Sequence, residues 1–129
     1  MAYDPTNIFA RILRGEIPCH KVYEDEHTIA FMDIMPQSEG HTLVVPKAPG
    51  ENIFDHSPEV LAATIRSTQK VAAAVKKAFD PPGIMIAQLN GSAAGQSVFH
   101  LHFHVVPRYP GSELLLHAGE MAEIGRAHV

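Results

Sequence analysis

Ser97-Val98-Phe99-His100-Leu101-His102-Phe103-His104-Val105-Val106-Pro107 alternates apolar residues with histidines through its central part. A period of two belongs to a strand, whose successive side chains point to opposite faces. The spacing predicts a strand that turns Phe99, Leu101, Phe103 and Val105 one way and His100, His102 and His104 the other. Pro107 is expected to stop it, because proline brings no N–H to a ladder. No helix gathers positions i, i+2 and i+4 on one face. The remaining sequence reads as scaffold or lining for this row of imidazoles.

Working outward, the loop Asn90-Gly91-Ser92-Ala93-Ala94-Gly95-Gln96 delivers the chain into that strand, and residues 84–89 before it read as another. Ser57-Pro58-Glu59 starts a helix with a cap, a proline in the first turn and an acid near the positive end. Leu61, Ile65, Thr68, Ala72, Val75 and Phe79 follow as one stripe on a helix of about six turns, which Asp80-Pro81-Pro82-Gly83 ends. Thr and Ala in the seam make a coiled coil a poor fit, and packing across a sheet is the better one. Nearer the N-terminus, His41-Thr42-Leu43-Val44-Val45-Pro46 predicts a strand, and Lys21-Val22-Tyr23 with residues 28–32 predicts a hairpin around Glu24-Asp25-Glu26. Asp33 follows the hairpin directly. Asn7 caps a short helix over 8–14 that ends at Gly15, and its apolar face (Ile8, Phe9, Ile12, Leu13) suits both core packing and a flat ligand. Residues 109–129 include a Leu114-Leu115-Leu116 run but predict no element. These elements make an α+β domain, an antiparallel sheet with a long helix on one face.

The 129 residues suit one domain spanning 1–129. A net charge of −4 gives no basic field to draw the chain to nucleic acid or an anionic membrane. One cysteine, Cys19, excludes an intrachain disulfide and a cysteine-built zinc site. Met1-Ala2-Tyr3-Asp4-Pro5 has no signal-peptide character, and no apolar run approaches the ~18 residues of a membrane span, so a cytoplasmic protein is expected.

A lone strand histidine is more often a hydrogen-bonded structural residue than a reactive one. Three in alternation beside a Gly/Ser/Asn loop point to chemistry. A metal site is one reading, since neutral imidazole is the commonest metal ligand. Residues two apart on a strand are ~6.6 Å apart, and His100 would lie ~13 Å from His104. Zinc holds each nitrogen within ~2.1 Å, so two neighbours can converge on one ion but three on a flat strand strain to do so. Nucleophilic catalysis at phosphorus is the other reading. One imidazole nitrogen attacks while the other keeps its proton in a fixed hydrogen bond, and a neighbouring imidazole donates to a phosphate oxygen or leaving group. Glycines in the loop let backbone N–H groups approach an anion, and Ser92 and Ser97 add hydroxyl donors.

His100-Leu101-His102-Phe103-His104-Val105-Val106 resembles the His-x-His-x-His-x-x signature of the histidine triad (HIT) nucleotide hydrolases and transferases. The likeness runs in order over about residues 4–108, through Gly15-Glu16-Ile17-Pro18, Phe31-Met32-Asp33-Ile34, Gly40-His41-Thr42-Leu43-Val44-Val45-Pro46-Lys47 and the loop at 90–98. The resemblance implies a five-stranded antiparallel sheet with one long and one short N-terminal helix, and a homodimer whose sheets join into ten strands. It implies that His102 attacks the α-phosphorus of a nucleotide, with its ring oriented by the His100 carbonyl. His104 and His41 would contact phosphate oxygens or the leaving group. Asn90, Gly95, Gln96 and Ser97 would hold the phosphate and scissile group, and Asp33 the ribose. Ile8, Phe9, Ile12, Phe31 and Ile34 would line the base pocket. No metal or other cofactor is required.

His104 stands where the uridylyltransferase branch has Gln, which favours a hydrolase of the Hint-like branch. Asn7 and Ala10 stand where some bacterial members carry a zinc-binding Cys-x-x-Cys, so that zinc site is expected to be absent. The expected substrate is an adenosine 5'-phosphoramidate or related adenylate, cleaved through a covalent nucleotidyl-histidine. A dinucleoside polyphosphate hydrolase, or a nucleotide-binding partner module with incidental turnover, is the alternative, and a metal-dependent hydrolase a more distant one.

Overall fold

A computed structural model describes residues 2–111. The Asn7 side chain accepts the Ala10 N–H at 2.9 Å and opens helix α1 (Ile8–Leu13). Strands β1 (Lys21–Glu24), β2 (Thr28–Met32) and β3 (Thr42–Pro46) follow as a meander. Helix α2 (Pro58–Phe79) then crosses to β4 (Gly83–Ala87) and β5 (Phe103–Arg108). Every pairing is antiparallel and the order is β1-β2-β3-β5-β4, so β5 is inserted between β3 and β4. Among the described residues no helix is long and apolar enough to cross a membrane. The Leu114-Leu115-Leu116 run lies outside the described residues.

Alternation along the strands gives the sheet two apolar faces. Ala30, Val44 and Val105 pack against Val71 and Val75 of α2. Ile29, Phe31, Leu43 and Val45 face the other way and receive Phe9 of α1. His104, next to Val105, belongs to that second face, beneath α1.

The histidine strand is shorter than its pattern. It begins at Phe103, opposite Val44, and includes Pro107 rather than stopping before it. Residues 98–102 make no ladder, and their backbone groups are engaged elsewhere: Leu101 N–H donates to Gly50 O, the His100 carbonyl accepts from the His102 ring and the Val98 carbonyl from Gln96. Pro107 is tolerated because pairing with β3 ends at Val105, and its carbonyl accepts the Ser38 hydroxyl at 2.6 Å. β4 ends at Ala87, not 89, where Gln88 and Asn90 pair their side-chain amides.

The buried face of α2 keeps Thr68 and Val75 of its expected stripe but departs from it one turn earlier: Thr64 and Ser67 are buried, whereas Ile65 is 48% exposed. Thr64 and Thr68 donate their hydroxyls to the carbonyls of Val60 and Thr64. Satisfied in this way, small hydroxyl residues can be buried where larger apolar ones would hold the helix off the sheet. Ser67 meets a polar knot at the β1–β2 turn. There Asp25 accepts the backbone N–H groups of His27 and Thr28 and the Tyr23 hydroxyl, each at 2.8 Å. The Thr28 and Ser67 hydroxyls, 2.6 Å apart, share their two protons between Asp25 and each other. Burial alone would raise the Asp25 carboxyl, but the donors of Tyr23, His27 and Thr28 outweigh it and hold it well below the usual carboxylate range.

Candidate active site

A cavity of about 330 Å³ opens beneath α1, bounded by the β2–β3 connection and the chain entering β5. Ile8, Phe9, Ile12, Phe31 and Ile34 line it, as do Asp33, His41, Ser97, His102 and His104. Asn90, Gly95, Gln96 and His100 do not. The lining is thus largely apolar and also carries three imidazoles, a carboxylate and a hydroxyl.

Hydrogen bonds assign the proton on each ring. His102 Nδ1 lies 2.7 Å from the His100 carbonyl, which can only accept, so Nδ1 carries the proton and Nε2 the lone pair. His41 Nδ1 accepts the Gln37 N–H at 3.0 Å, which puts the His41 proton on Nε2. That nitrogen is 3.0 Å from His104 Nδ1 and 3.5 Å from an Asp33 oxygen. His104 Nδ1 thus accepts, and its own proton sits on Nε2. His102 thus carries a lone pair on Nε2 and His104 a proton on Nε2, with the two ring centroids 4.9 Å apart. Phe9 stands edge-on to His102 at 4.8 Å. Burial above all, and then the neighbouring His104, push the His102 pKa down to about 3, and burial pushes His41 down to about 4. Both rings are neutral at physiological pH, as a nucleophile requires.

Asp33, His41 and His104 bring ligand atoms within 4.8 Å of one another, which raises the question of a metal. The donor chemistry does not suit one. The Gln37 N–H occupies the His41 Nδ1 lone pair, so Nε2 must carry the ring proton, and a protonated nitrogen cannot coordinate.

The row of three imidazoles divides. His102 and His104 share the cavity, but His100 turns away, with Nε2 2.8 Å from Pro46 O and Nδ1 2.6 Å from the Tyr3 hydroxyl. The loop amides are also engaged. Asn90 Oδ1 accepts from Ile53 N, while Gln96 accepts from Gly91 N and donates to the carbonyls of Glu51 and Val98. Sequence reasoning missed Tyr3, Gln37, Pro46 and Gly50. Their contacts are made across long chain separations or by backbone atoms, and neither leaves a local pattern.

Gly50 illustrates the backbone case. Its carbonyl holds Leu101 N–H at 2.9 Å, and a Cβ at this position would collide with the His56 ring. Gly50→Ala is expected to cost about 2 kcal/mol by chemical unfolding, in the range for overpacking. Gly50→Ala/His56→Ala should recover most of that loss.

Comparison with known proteins gives one consistent picture. A family model described as HIT domain matches residues 14–111. The protein hit of Bacillus subtilis (strain 168) is 46% identical over 102 residues, 79% of this chain and 70% of its own length. The crystal structure of a Hit-like protein from Bartonella henselae, described as involved in cell-cycle regulation, superposes with a TM-score of 0.85 at 50% identity, covering 97% of this chain and 95% of that one. The adenylylsulfatase HINT3 of Arabidopsis thaliana is 38% identical over 101 residues, 78% of this chain and 51% of that protein.

Proposed function

This chain belongs to the HIT-domain family, and from that premise we propose that it is a nucleotide hydrolase of the Hint-like branch, cleaving a purine nucleoside phosphoramidate or related adenylate through a covalent nucleotidyl-histidine. The observation that carries the reading is the tautomer of His102, proton on Nδ1 and lone pair on Nε2 in the cavity. That Nε2 attacks the α-phosphorus and forms an N–P bond as the P–N bond to the amine breaks. His104 Nε2–H protonates the departing amine. Water then attacks the same phosphorus, gives its proton back to His104, and releases AMP and the free His102 ring. Microscopic economy favours this arrangement, since one imidazole serves as acid in the first half and base in the second.

The purine lies among Ile8, Phe9, Ile12, Phe31 and Ile34, and Asp33 accepts from the ribose hydroxyls. Ser97 and the backbone around Gly95 receive the phosphate. Asn90 and Gln96 act on it by bracing that loop. Two copies pair along β4, whose outer edge has no strand beside it among the described residues and whose Ile86 is 43% exposed, joining the sheets into ten strands. We place the activity in the cytoplasm.

The test is AMP release from adenosine 5'-phosphoramidate, with adenylyl sulfate (brought in by the HINT3 likeness) and a dinucleoside polyphosphate as alternative leaving groups. Turnover is expected to survive EDTA, and rapid quenching should trap protein carrying one adenylyl group. Loss of activity to chelator would overturn the mechanism, and an inert wild type on all three substrates would leave a binding module.

A further inference from the structure

Tyr3 lies ahead of residue 14, where the match to the family model begins, and does not line the cavity. Its hydroxyl nevertheless reaches His100 Nδ1 at 2.6 Å, and the two rings stand edge to face with centroids 5.6 Å apart. His100 is 1% exposed, so both of its ring nitrogens need partners. Nε2 faces the Pro46 carbonyl at 2.8 Å and must donate to it. Nδ1 must then accept, and the donor supplied to it is Tyr3. The imidazole is bolted between the last residue of β3 and the N-terminal segment. The peptide that follows is pinned too, by Leu101 N–H on Gly50 O at 2.9 Å. The carbonyl of that same peptide receives the His102 Nδ1–H at 2.7 Å.

We propose that Tyr3 is a positioning residue for the nucleophile: by holding His100 in one tautomer and one rotamer, it sets the carbonyl that keeps the His102 proton on Nδ1 and the lone pair on Nε2. This rests on the reading of His102 as nucleophile. Without the hydroxyl, His100 Nδ1 is left buried without its donor, and the ring can flip, rotate or bind a proton. A ring that flips or rotates pulls on the peptide that follows it, and a reacting group misplaced by ~1 Å can cost about 10²-fold in rate.

Tyr3→Phe removes one oxygen and keeps the ring packing. Its kcat on adenosine 5'-phosphoramidate is expected to fall about tenfold, the scale of one buried hydrogen bond, with KM unchanged because Tyr3 does not touch the cavity. In ¹⁵N-resolved NMR, wild-type His100 should show a single Nε2–H tautomer and Tyr3→Phe a mixture. Wild-type kcat in Tyr3→Phe beside an inert His102→Ala overturns the proposal and leaves the nucleophile standing. A loss of kcat with the His100 tautomer unchanged also overturns it, since the effect then bypasses the clamp. Activity in His102→Ala overturns the nucleophile, and the purpose of the clamp with it. The wild-type spectrum is a test that needs no variant: a His100 carrying its proton on Nδ1 rules the clamp out.

Discussion

His102→Ala is expected to lower kcat for AMP release by at least about 10⁴-fold, the scale found when a covalent nucleophile is deleted from an enzyme. No neighbouring group can substitute. His41 Nε2 carries a proton and His104 Nδ1 already accepts it, so neither offers a lone pair to the phosphorus in the arrangement described. His104→Ala should cost less, and its cost should shrink as the leaving group becomes more acidic, because a good leaving group departs without a proton. Equal losses in His104→Ala for amine and sulfate leaving groups would refute the assignment of His104 as the acid. The low pKa of His102 adds a signature. A histidine of ordinary pKa is about 97% protonated at pH 5, yet the buried ring stays neutral there, so kcat/KM should hold its value down to that pH.

Stability should move the other way over the same range. Below about pH 6.5 the unfolded chain protonates His41 and His102, while the folded chain does so only near pH 4 and 3. The unfolded state therefore binds more protons, and stability falls as the pH drops, by about 2 kcal/mol for each residue at pH 5. Folded enzyme remains competent in acid while less of it remains folded.

The second large effect concerns Asp25, which does not line the cavity. Asp25→Ala is expected to destabilise the protein by roughly 3 kcal/mol, because the Tyr23 hydroxyl, two backbone N–H groups and the Thr28 and Ser67 hydroxyls lose a charged acceptor together. For a domain of this size that is roughly 10 °C in Tm. Asp25→Asn should fall between, since one amide oxygen can replace the acceptor of one side only. The sign with pH is fixed: the folded carboxyl titrates below the unfolded one, so the contribution is complete above about pH 4 and fades as the pH falls further. An Asp25→Ala variant unfolding within a degree or two of wild type would refute this account.

Legibility in the sequence tracked how local each cause was. The bounds of α2 were readable because Ser57, Pro58 and Asp80 act within one turn of their own position. The α1 cap and the β1–β2 hairpin were readable for the same reason. The face of α2 was readable in part: Thr68, Ala72, Val75 and Phe79 do pack inward, but hydropathy favours Ile65 over Thr64 and takes no account of a hydroxyl bonded to its own helix. The histidine row read as a single strand because a period of two is blind to the bond between His100 and Pro46, 54 positions away. His102, His104, His41 and Asp33 were found together because the family resemblance placed them. Tyr3, separated from His100 by 97 positions, had no pattern to announce it.

The insertion of β5 between β3 and β4 divides the molecule along a seam. β2 and β3 share five registered pairs, as do β4 and β5, but only Thr42↔Val105, Leu43↔His104 and Val44↔Phe103 join β3 to β5. Asp33 and His41 belong to the first half and His102 and His104 to the second, with the His41–His104 hydrogen bond crossing between them. Each half can be built from contacts close in sequence, whereas the seam closes a loop of about sixty residues and is the slower entropic step. A half-folded chain accordingly holds two incomplete sets: the second half carries His102 and His104 without the wall supplied by α1 and β2, and the first carries that wall without those two imidazoles. The cavity is walled on all its sides only by the event that also finishes the sheet.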